Sequence, residues 1–284
     1  MSDPFVIHNG KLLEKSSGEI PILNRAFHYG DGLFETIRVI DGHACFLNIH
    51  FTRLLEGLKV LSIETPIEFS LARINNEIKT LIQQNGIERG GRVRVTVYRN
   101  SEGNYLPTGN SLSYVIESST LPNNSFIMNE NGFEIDIYSD LKKQISKLSR
   151  HKTLNCQLYV LASLYAKEKG LDDVLLLNEK DIIIETTNAN IFIASNKVLY
   201  TPPLEDGCVG GTMRMQVINT ALKHDFKVYE TTLRPQNLLV ADELFLSNSI
   251  FGLRWVDNYR QKRYKHDLSD FLLEKLNAEA RQNS

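Results

Sequence analysis

The sequence has few cysteines, no long apolar run and no obvious leader segment. Its three cysteines, Cys45, Cys156 and Cys208, are an odd number without metal-site spacing, which favours a reducing compartment over a disulfide framework. No apolar run approaches the roughly 20 residues that a membrane span needs, and MSDPFVIHNG lacks the basic and apolar parts of a signal peptide. We therefore expect a soluble, cytoplasmic protein without a membrane partner or a metal site.

The chain also lacks a strong charge of either sign. Its 32 Lys and Arg residues nearly balance 34 Asp and Glu residues, which leaves a formal net charge of -2. No basic face is implied, so nucleic acid is not a favoured partner. At 284 residues, of which 42% are hydrophobic, the chain is long enough for one large domain or two of ordinary size.

Residues 1–118 have the pattern of a small α/β domain. Asn-Gly and Asp-Gly pairs between apolar segments predict β-hairpins, a 3.6-residue apolar period predicts helices, and strict alternation predicts strands. The predicted elements are hairpins at Asn9–Gly10 and Asp41–Gly42, helices over 48–63 with Asn48 as cap and over 70–86, and strands over 92–99 and 113–118.

A polar segment with a proline, STLPNNS at 119–125, predicts a linker. Beyond it, residues 126–284 contain seven short apolar strand patterns, interrupted by helical patterns at about 155–169, 212–224 and 267–280. So many short strands predict a second, larger, strand-rich domain that resembles a barrel. The fold class expected for the whole chain is α+β.

Lys152 is the first candidate for chemistry, because it precedes an apolar helical segment in RHKTLNCQLYVLASLYA. An amine that is removed from water has a lowered pKa, and its neutral form can attack a carbonyl group. An exposed lysine at the start of a helix would give the same local sequence, so this residue needs companions.

Two further segments supply such companions. Glu185 ends the apolar strand DIIIE, where a carboxylate is costly unless it meets a partner such as a protonated ring nitrogen. In GGTMRMQVINTAL a glycine pair opens a helix, so the N–H groups of Thr212 and Met213 could hold a phosphate. An amine, a carboxylate and a phosphate cradle together outline a site for pyridoxal phosphate (PLP).

Six segments, in order along nearly the whole chain, resemble the class IV, or fold-type IV, PLP-dependent enzymes. This family includes branched-chain and D-amino-acid aminotransferases and 4-amino-4-deoxychorismate lyase. The segments are NRAFHYGDGLFETIRV, HFTRL, KTLN, ETTNANIF, GGTMR and ADELFLSNS. The resemblance implies a small α/β domain, a larger barrel-like domain, PLP as cofactor, an amino compound as substrate, and a homodimer.

The resemblance also implies roles for individual residues. Lys152 would bond to the cofactor aldehyde and later move the substrate Cα proton, and Glu185 would pair with the pyridine nitrogen. Phosphate contacts would come from the side chains of Arg53 and Ser249 and from the amides of Thr212 and Met213. The expected substrate contacts are Arg94, Asn248, Tyr29 and Arg99, with Thr36 as a further catalytic residue.

Within the family, the motifs favour the lyase. Branched-chain enzymes usually have a tyrosine five residues after the lysine and a glycine at the position of Thr36, whereas this chain has Gln157 and Thr36. Thr36 and Asn248 match the lyase pattern, but Asn104 stands where the lyase often has an arginine. An aminotransferase of the D-amino-acid or branched-chain type is the alternative, and a non-catalytic PLP-binding protein is a remote one.

Overall fold

The computed structural model describes residues 4–21 and 23–282, which divide into two compact units. The first unit comprises Met1–Ser125, His151–Asn155 and Ala280–Ser284, and the second comprises Phe126–Arg150 and Cys156–Glu279. The second unit begins at Phe126, and residues 119–125, which were expected to be a linker, belong to the first unit. However, the segment that contains Lys152 belongs to the first unit. The chain returns to that unit for only five residues, His151–Asn155, and so short a segment cannot be recognised from its composition.

The first unit contains a six-stranded antiparallel sheet with the strand order β2-β1-β6-β5-β3-β4. Both predicted hairpins are present, with Asn9 and Asp41 in the left-handed conformation that such turns require. The strands are β1 (Phe5–His8), β2 (Lys11–Glu14), β3 (Gly32–Ile40), β4 (His43–Ala44), β5 (Gly91–Arg99) and β6 (Leu112–Thr120).

Helices of the first unit cover one face of this sheet, and the predicted alternation of β5 explains which face. Val93, Val95 and Val97 are all buried in one apolar cluster with the inward side chains of the helices, while the residues between them point to the other face. A short helix, α1 (Arg25–Tyr29), precedes β3, and the helices on the valine face are α2 (Leu47–Val60) and α3 (Leu71–Gln84).

The predicted start of α2 was wrong, while that of α3 is confirmed. The helix α2 begins at Leu47 after Phe46, which takes a left-handed conformation with φ 54°, so Asn48 lies inside the helix and does not cap it. The reason is that the turn into the helix is made by the left-handed backbone of Phe46, two residues before Asn48. In α3, which lies within the predicted range 70–86, the Ser70 side chain accepts a hydrogen bond from the N–H of Arg73 and caps the helix.

The second unit contains a nine-stranded sheet, in which six strands close into a ring. The ring runs β10-β13-β14-β7-β8-β9 and closes through the pairing of β9 with β10, which confirms the barrel-like expectation. The strands of the unit are β7 (Phe133–Lys143), β8 (Asp173–Asn178), β9 (Ile183–Thr186), β10 (Asn190–Ser195), β11 (Val198–Thr201), β12 (Lys227–Glu230), β13 (Glu243–Asn248), β14 (Gly252–Tyr259) and β15 (Lys262–Arg263).

The helices of the second unit begin and end close to the expected positions. They are α4 (Gln157–Lys169), α5 (Thr212–Lys223), α6 (Pro235–Val240) and α7 (Asp267–Gln282). The sequence had not indicated β14, β15 or the short α6. Across residues 4–21 and 23–282, every helix is too short or too polar to cross a bilayer.

Candidate active site

Lys152 lies on a short extended segment that pairs with β3, not directly before a helix as expected. The N–H of Phe34 donates to the carbonyl oxygen of Lys152 at 2.9 Å, and the N–H of Leu154 donates to the carbonyl oxygen of Gly32 at 3.0 Å. The helix α4 begins only at Gln157. Because β4 pairs only with the last two residues of β3, it does not reach this part of the strand. The KTLN segment provides hydrogen-bond partners for the backbone of β3 there.

The glycines of the signature segment make this pairing possible. A Cβ atom at Gly32 would lie 2.4 Å from the carbonyl oxygen of Val97 and 2.8 Å from the Leu154 side chain, distances that a side chain cannot adopt. Gly30 ends α1 in a left-handed conformation with φ 64°. The segments NRAFHYGDGLFETIRV and KTLN are therefore parts of one local structure.

Two predicted site residues of the first unit lie against the ring of Phe34, and a third, Thr36, follows Phe34 on the same strand. The Nζ atom of Lys152 lies 4.4 Å from the ring centroid, and the guanidinium carbon of Arg94 lies 3.8 Å from it. Thr36 stands directly opposite Arg94 in the pairing of β3 with β5. By alternation, Phe34, Thr36 and Arg94 project from the face of the sheet opposite α2 and α3, and the amine of Lys152 lies beside Phe34.

Arg53 lies on the other face of β3 and forms a buried ion pair with Glu35. Its Nε atom lies 2.8 Å from Glu35 Oε1, and Glu35 Oε2 lies 2.7 Å from His50 Nδ1. Burial alone would raise the pKa of Glu35, but the charge of Arg53 and the hydrogen bond from His50 outweigh it and lower that pKa to about 2. Burial lowers the pKa of His50, which favours its neutral form. Glu35 thus fixes the orientation of Arg53.

Arg99, an expected substrate contact, is instead part of a buried structural network. Its Nε atom lies 2.9 Å from Asp31 Oδ2, and its terminal nitrogens donate to the carbonyl oxygens of Leu61 and Ser62. Arg25 contacts the same carboxylate at 2.8 Å. Asp31 therefore links α1 to the end of β5, and the substrate role expected for Arg99 is not supported by its position.

Tyr29, the other expected contact in the signature segment, lies at the end of α1 and is exposed. Its ring packs against the guanidinium of Arg25 at 4.9 Å and against the ring of Tyr105 at 5.6 Å. Tyr29 and Tyr105 therefore form an exposed aromatic pair.

Glu185, in the second unit, is a buried carboxylate surrounded by donors. Its Oε1 atom accepts from Lys143 Nζ at 2.6 Å and from the Tyr159 hydroxyl at 2.8 Å, and its Oε2 atom accepts from the N–H of Val209 at 2.8 Å. Burial, together with the negative charge of Glu185, raises the pKa of Tyr159 far above its ordinary value, so the hydroxyl stays protonated and donates.

The glycine pair ahead of α5 forms a tight turn beside this carboxylate. A Cβ atom at Gly211 would lie 2.0 Å from Asn190 Oδ1, and the amide of Asn190 donates to the carbonyl oxygen of Val209 at 2.7 Å. No side chain caps α5, whose N-cap is Gly211 and whose first two residues, Thr212 and Met213, are buried. Such a helix start suits an anion.

Asn248 and Ser249 lie where β13 ends. The side-chain oxygen of Asn248 accepts from the N–H groups of Ile250 and Phe251 at 2.9 and 3.0 Å, and its amide donates to the carbonyl oxygen of Asn188 at 3.2 Å. Asn248 thus shapes the turn in which Ser249 lies, and its side chain is engaged with the backbone.

Four residues that hold Arg53 and Glu185 in place were not predicted from the sequence: Glu35, His50, Lys143 and Tyr159. Glu35 lies between the apolar Leu33 and Ile37 on the inward face of β3, and an acid in that pattern signals a buried partner. His50 precedes Arg53 by three residues and shares its helix face. Nothing in the local sequence marks Lys143, because only the pairing of β7 with β8 brings it to Glu185.

Comparison with known proteins supplies the family. The family model for amino-transferase class IV matches residues 32–259. The chain belongs to the class IV aminotransferase family. It is therefore a PLP-dependent enzyme, as the resemblance of its motifs implied.

Relatives of this class IV chain include enzymes of both expected activities. A putative branched-chain-amino-acid aminotransferase of Methanocaldococcus jannaschii is 31% identical, over 85% of this chain and 83% of the relative. An aminodeoxychorismate lyase of Bacillus subtilis is 27% identical, over 86% and 83%. The crystal structure of a putative 4-amino-4-deoxychorismate lyase from Legionella pneumophila has a TM-score of 0.83 and 28% identity, over 93% of this chain and 97% of that one.

The residues of this class IV enzyme fit its cofactor. The first unit contains the amine of Lys152 and the oriented guanidinium of Arg53, and the second contains the buried carboxylate of Glu185 and the glycine-capped start of α5. These are the groups that the aldehyde, the phosphate and the ring nitrogen of PLP require. Each is held in place by its own contacts.

Proposed function

We propose that this enzyme is a 4-amino-4-deoxychorismate lyase, which forms 4-aminobenzoate and pyruvate as a step of folate biosynthesis. The observation that carries the proposal is the pairing of Thr36 with Arg94 on the face of β3 and β5 that also holds Phe34 and Lys152. A hydroxyl beside a carboxylate-binding cation suits a reaction that expels an enolpyruvyl group.

The cofactor roles follow the motifs. Bound PLP supplies the electron sink that makes the substrate Cα proton acidic. Lys152 would hold the cofactor aldehyde, and its amine would take the Cα proton of the substrate. Glu185 holds a proton on the pyridine nitrogen. Arg53, Ser249 and the amides of Thr212 and Met213 hold the phosphate.

Arg94 and Thr36 give the reaction its lyase character. Arg94 binds a substrate carboxylate, and its contact with the Phe34 ring, at 3.8 Å, fixes the plane of the guanidinium. Thr36 delivers a proton to the departing enolpyruvyl fragment, which leaves as pyruvate while the ring becomes aromatic. Asn248 acts through the turn that it holds after β13.

An aminotransferase is the second candidate, favoured by the 31% identity to the putative branched-chain enzyme of Methanocaldococcus jannaschii. Both reactions begin with removal of the same Cα proton by Lys152. They would differ in the next proton transfer, because only the lyase would need a proton at the leaving enolpyruvyl fragment.

One incubation series separates the two candidates. The purified enzyme with PLP is given 4-amino-4-deoxychorismate, and in separate reactions D- or L-amino acids with 2-oxoglutarate. We expect 4-aminobenzoate and pyruvate in equal amounts from the first reaction. New 2-oxo acids from the amino acids, without 4-aminobenzoate from the first reaction, would overturn the proposal in favour of an aminotransferase.

We also propose that the enzyme is a homodimer, as the family resemblance implies. The helix α4 exposes Val160, Leu161 and Leu164, three apolar side chains close together on its surface, and such a patch is typical of an interaction surface. Sedimentation equilibrium of the PLP-loaded protein is expected to give twice the mass of the chain. An active monomer at assay concentration would contradict this proposal.

A further inference from the structure

Glu185 has an ion-pair partner within its own unit. Lys143 Nζ lies 2.6 Å from Glu185 Oε1, and it also donates to the carbonyl oxygen of Ser149 at 3.0 Å. The side chains of Lys143 and Glu185 are 12% and 3% exposed. Both charges are therefore largely removed from water and held in one geometry.

The neighbouring lysine shows that burial of Lys143 is specific. Lys142 pairs with Asp181 at 2.7 Å, but the side chains of both residues are exposed to solvent. The strand β7 pairs with β8 up to Tyr138, and the register then shifts before Lys143 pairs with Asn178. This irregularity turns Lys143, and not Lys142, toward Glu185.

A structural role alone does not require a charge at this position. The Tyr159 hydroxyl and the Val209 N–H already donate to the two oxygens of Glu185. A buried ammonium costs desolvation energy, and what it adds beyond a neutral donor is its effect on the proton affinity of the carboxylate. An ammonium 2.6 Å from the carboxylate oxygen stabilises the ionised form of Glu185 directly by its charge.

The other titratable groups around Lys143 and Glu185 do not supply the positive charge that stabilises the ionised carboxylate. Burial and the nearby charge of Glu185 raise the pKa of the Cys208 thiol to about 12, and the pKa of Tyr159 is also raised, so both groups are neutral near pH 7. Arg214, which acts on Cys208, forms its own ion pair with Glu230 at 2.6 Å.

We propose that Lys143 is a positioning residue that keeps Glu185 ionised, so that the proton shared between Glu185 and the pyridine nitrogen of PLP stays on the ring. A buried acid beside a pyridine nitrogen would otherwise keep the proton itself, because a neutral pair is favoured in a medium of low dielectric constant. The inference rests on the proposed role of Glu185, and it makes Lys143 necessary for the electron-withdrawing form of the ring.

The test compares the PLP-loaded wild-type chain with Lys143→Gln, which keeps a donor but no charge, and with Lys143→Arg, which keeps the charge. The readout is the 15N chemical shift of PLP labelled at the pyridine nitrogen, near pH 7. We expect a protonated ring in the wild type and in Lys143→Arg. In Lys143→Gln the proton equilibrium should move from the ring to Glu185 by at least about tenfold. Lys142→Gln is the matched control and should match the wild type.

If the Lys143→Gln protein binds PLP too weakly for the first measurement, a second measurement tests the proposal without the cofactor. Infrared difference spectra of the cofactor-free chains, with Glu185→Gln as reference, report whether Glu185 carries a proton. We expect an ionised Glu185 in the wild type and a protonated one in Lys143→Gln at the same pH.

The results separate this inference from the proposed function. A fully protonated ring in Lys143→Gln, or an ionised Glu185 in its cofactor-free form, would overturn the role of Lys143 alone. A wild-type ring without a proton would overturn the role of Glu185 as well. Formation of 4-aminobenzoate enters neither measurement, so the lyase proposal stands or falls independently.

Discussion

The carbonyl oxygen of Lys152 accepts a hydrogen bond of 2.9 Å from the N–H of Phe34. Through this bond the proposed cofactor lysine is held by the strand β3. The same strand carries Glu35, which orients Arg53, and Thr36, which faces Arg94. Alternation along β3 sends these two side chains to opposite faces, so one strand organises the proposed cofactor and substrate contacts of the first unit.

This arrangement predicts that Gly32→Ala disrupts cofactor binding. The new Cβ atom would lie 2.4 Å from the Val97 carbonyl oxygen and 2.8 Å from the Leu154 side chain, and it would push the KTLN segment away from β3. We expect a loss of about 1–3 kcal/mol in the free energy of unfolding and weaker PLP binding, measured by denaturant titration and by absorbance. The control is Gly109→Ala, whose Cβ atom would meet nothing within 4 Å. Equal behaviour of the two variants would contradict the prediction.

The periodic parts of this fold could be predicted from the sequence. The Asn9–Gly10 and Asp41–Gly42 turns, the buried valines of β5 and the start of α3 follow from local rules. The barrel-like unit was predicted from seven short strands. Its closure depends on β14 and on the pairing of β9 with β10, which are long-range pairings that no local pattern reveals.

The site was predictable where a residue type serves one chemistry, and not where a contact depends on tertiary pairing. Lys152 and Glu185 stood out as a lysine and an acid in apolar surroundings. Arg99 looked equally suitable as a ligand, yet Asp31, 68 residues earlier in the chain, holds it in a structural network. Lys143 looked like any surface lysine, because only a register shift in β7 brings it to Glu185.

Lys152 is expected to carry the cofactor covalently. Reduction of the PLP-loaded protein with borohydride should fix pyridoxyl at Lys152, as mapped by peptide mass spectrometry, because this amine lies beside Phe34 and Arg94. Lys143 is the informative alternative, since it is also a largely buried lysine near a proposed cofactor contact. Modification at Lys143, Lys142 or Lys147 in place of Lys152 would refute the assignment.

Glu35 is expected to give the protein an acid-sensitive stability. The charge of Arg53 and the hydrogen bond from His50 lower its pKa in the folded protein to about 2, well below its ordinary value of 4.5. The stabilisation is therefore complete above about pH 4.5 and is lost as the pH falls through about 2. The difference corresponds to roughly 3 kcal/mol. Urea unfolding at pH values between 2 and 6 should show a weaker pH dependence for Glu35→Gln than for the wild type. The exposed Glu88→Gln serves as control, and an unchanged pH dependence in Glu35→Gln would remove this assignment.

Glu185→Gln is expected to retain PLP but to remove the substrate Cα proton slowly. The amide cannot hold a proton on the pyridine nitrogen by charge, while the donors Tyr159 and Val209 can still bind its oxygen. The rate of exchange of the Cα proton with deuterated solvent should fall by orders of magnitude, and PLP occupancy should stay near the wild-type value. An unimpaired exchange rate would show that Glu185 has no role at the ring.

Thr36 is expected to decide between lyase and transaminase chemistry. Its hydroxyl stands opposite Arg94 on the face that holds Lys152, and only expulsion of the enolpyruvyl fragment needs a proton at that point. A well-placed general acid contributes roughly 10²–10⁴ in rate. Thr36→Val should therefore cut 4-aminobenzoate formation by a factor in that range, while any side transamination, for which Lys152 alone moves the Cα proton, stays nearly intact. Thr36→Ser keeps the hydroxyl and should recover most of the lyase rate. If both activities fall together in Thr36→Val, or if Thr36→Ser is as slow as Thr36→Val, the residue is a β-branched strand residue whose hydroxyl has no part in the reaction.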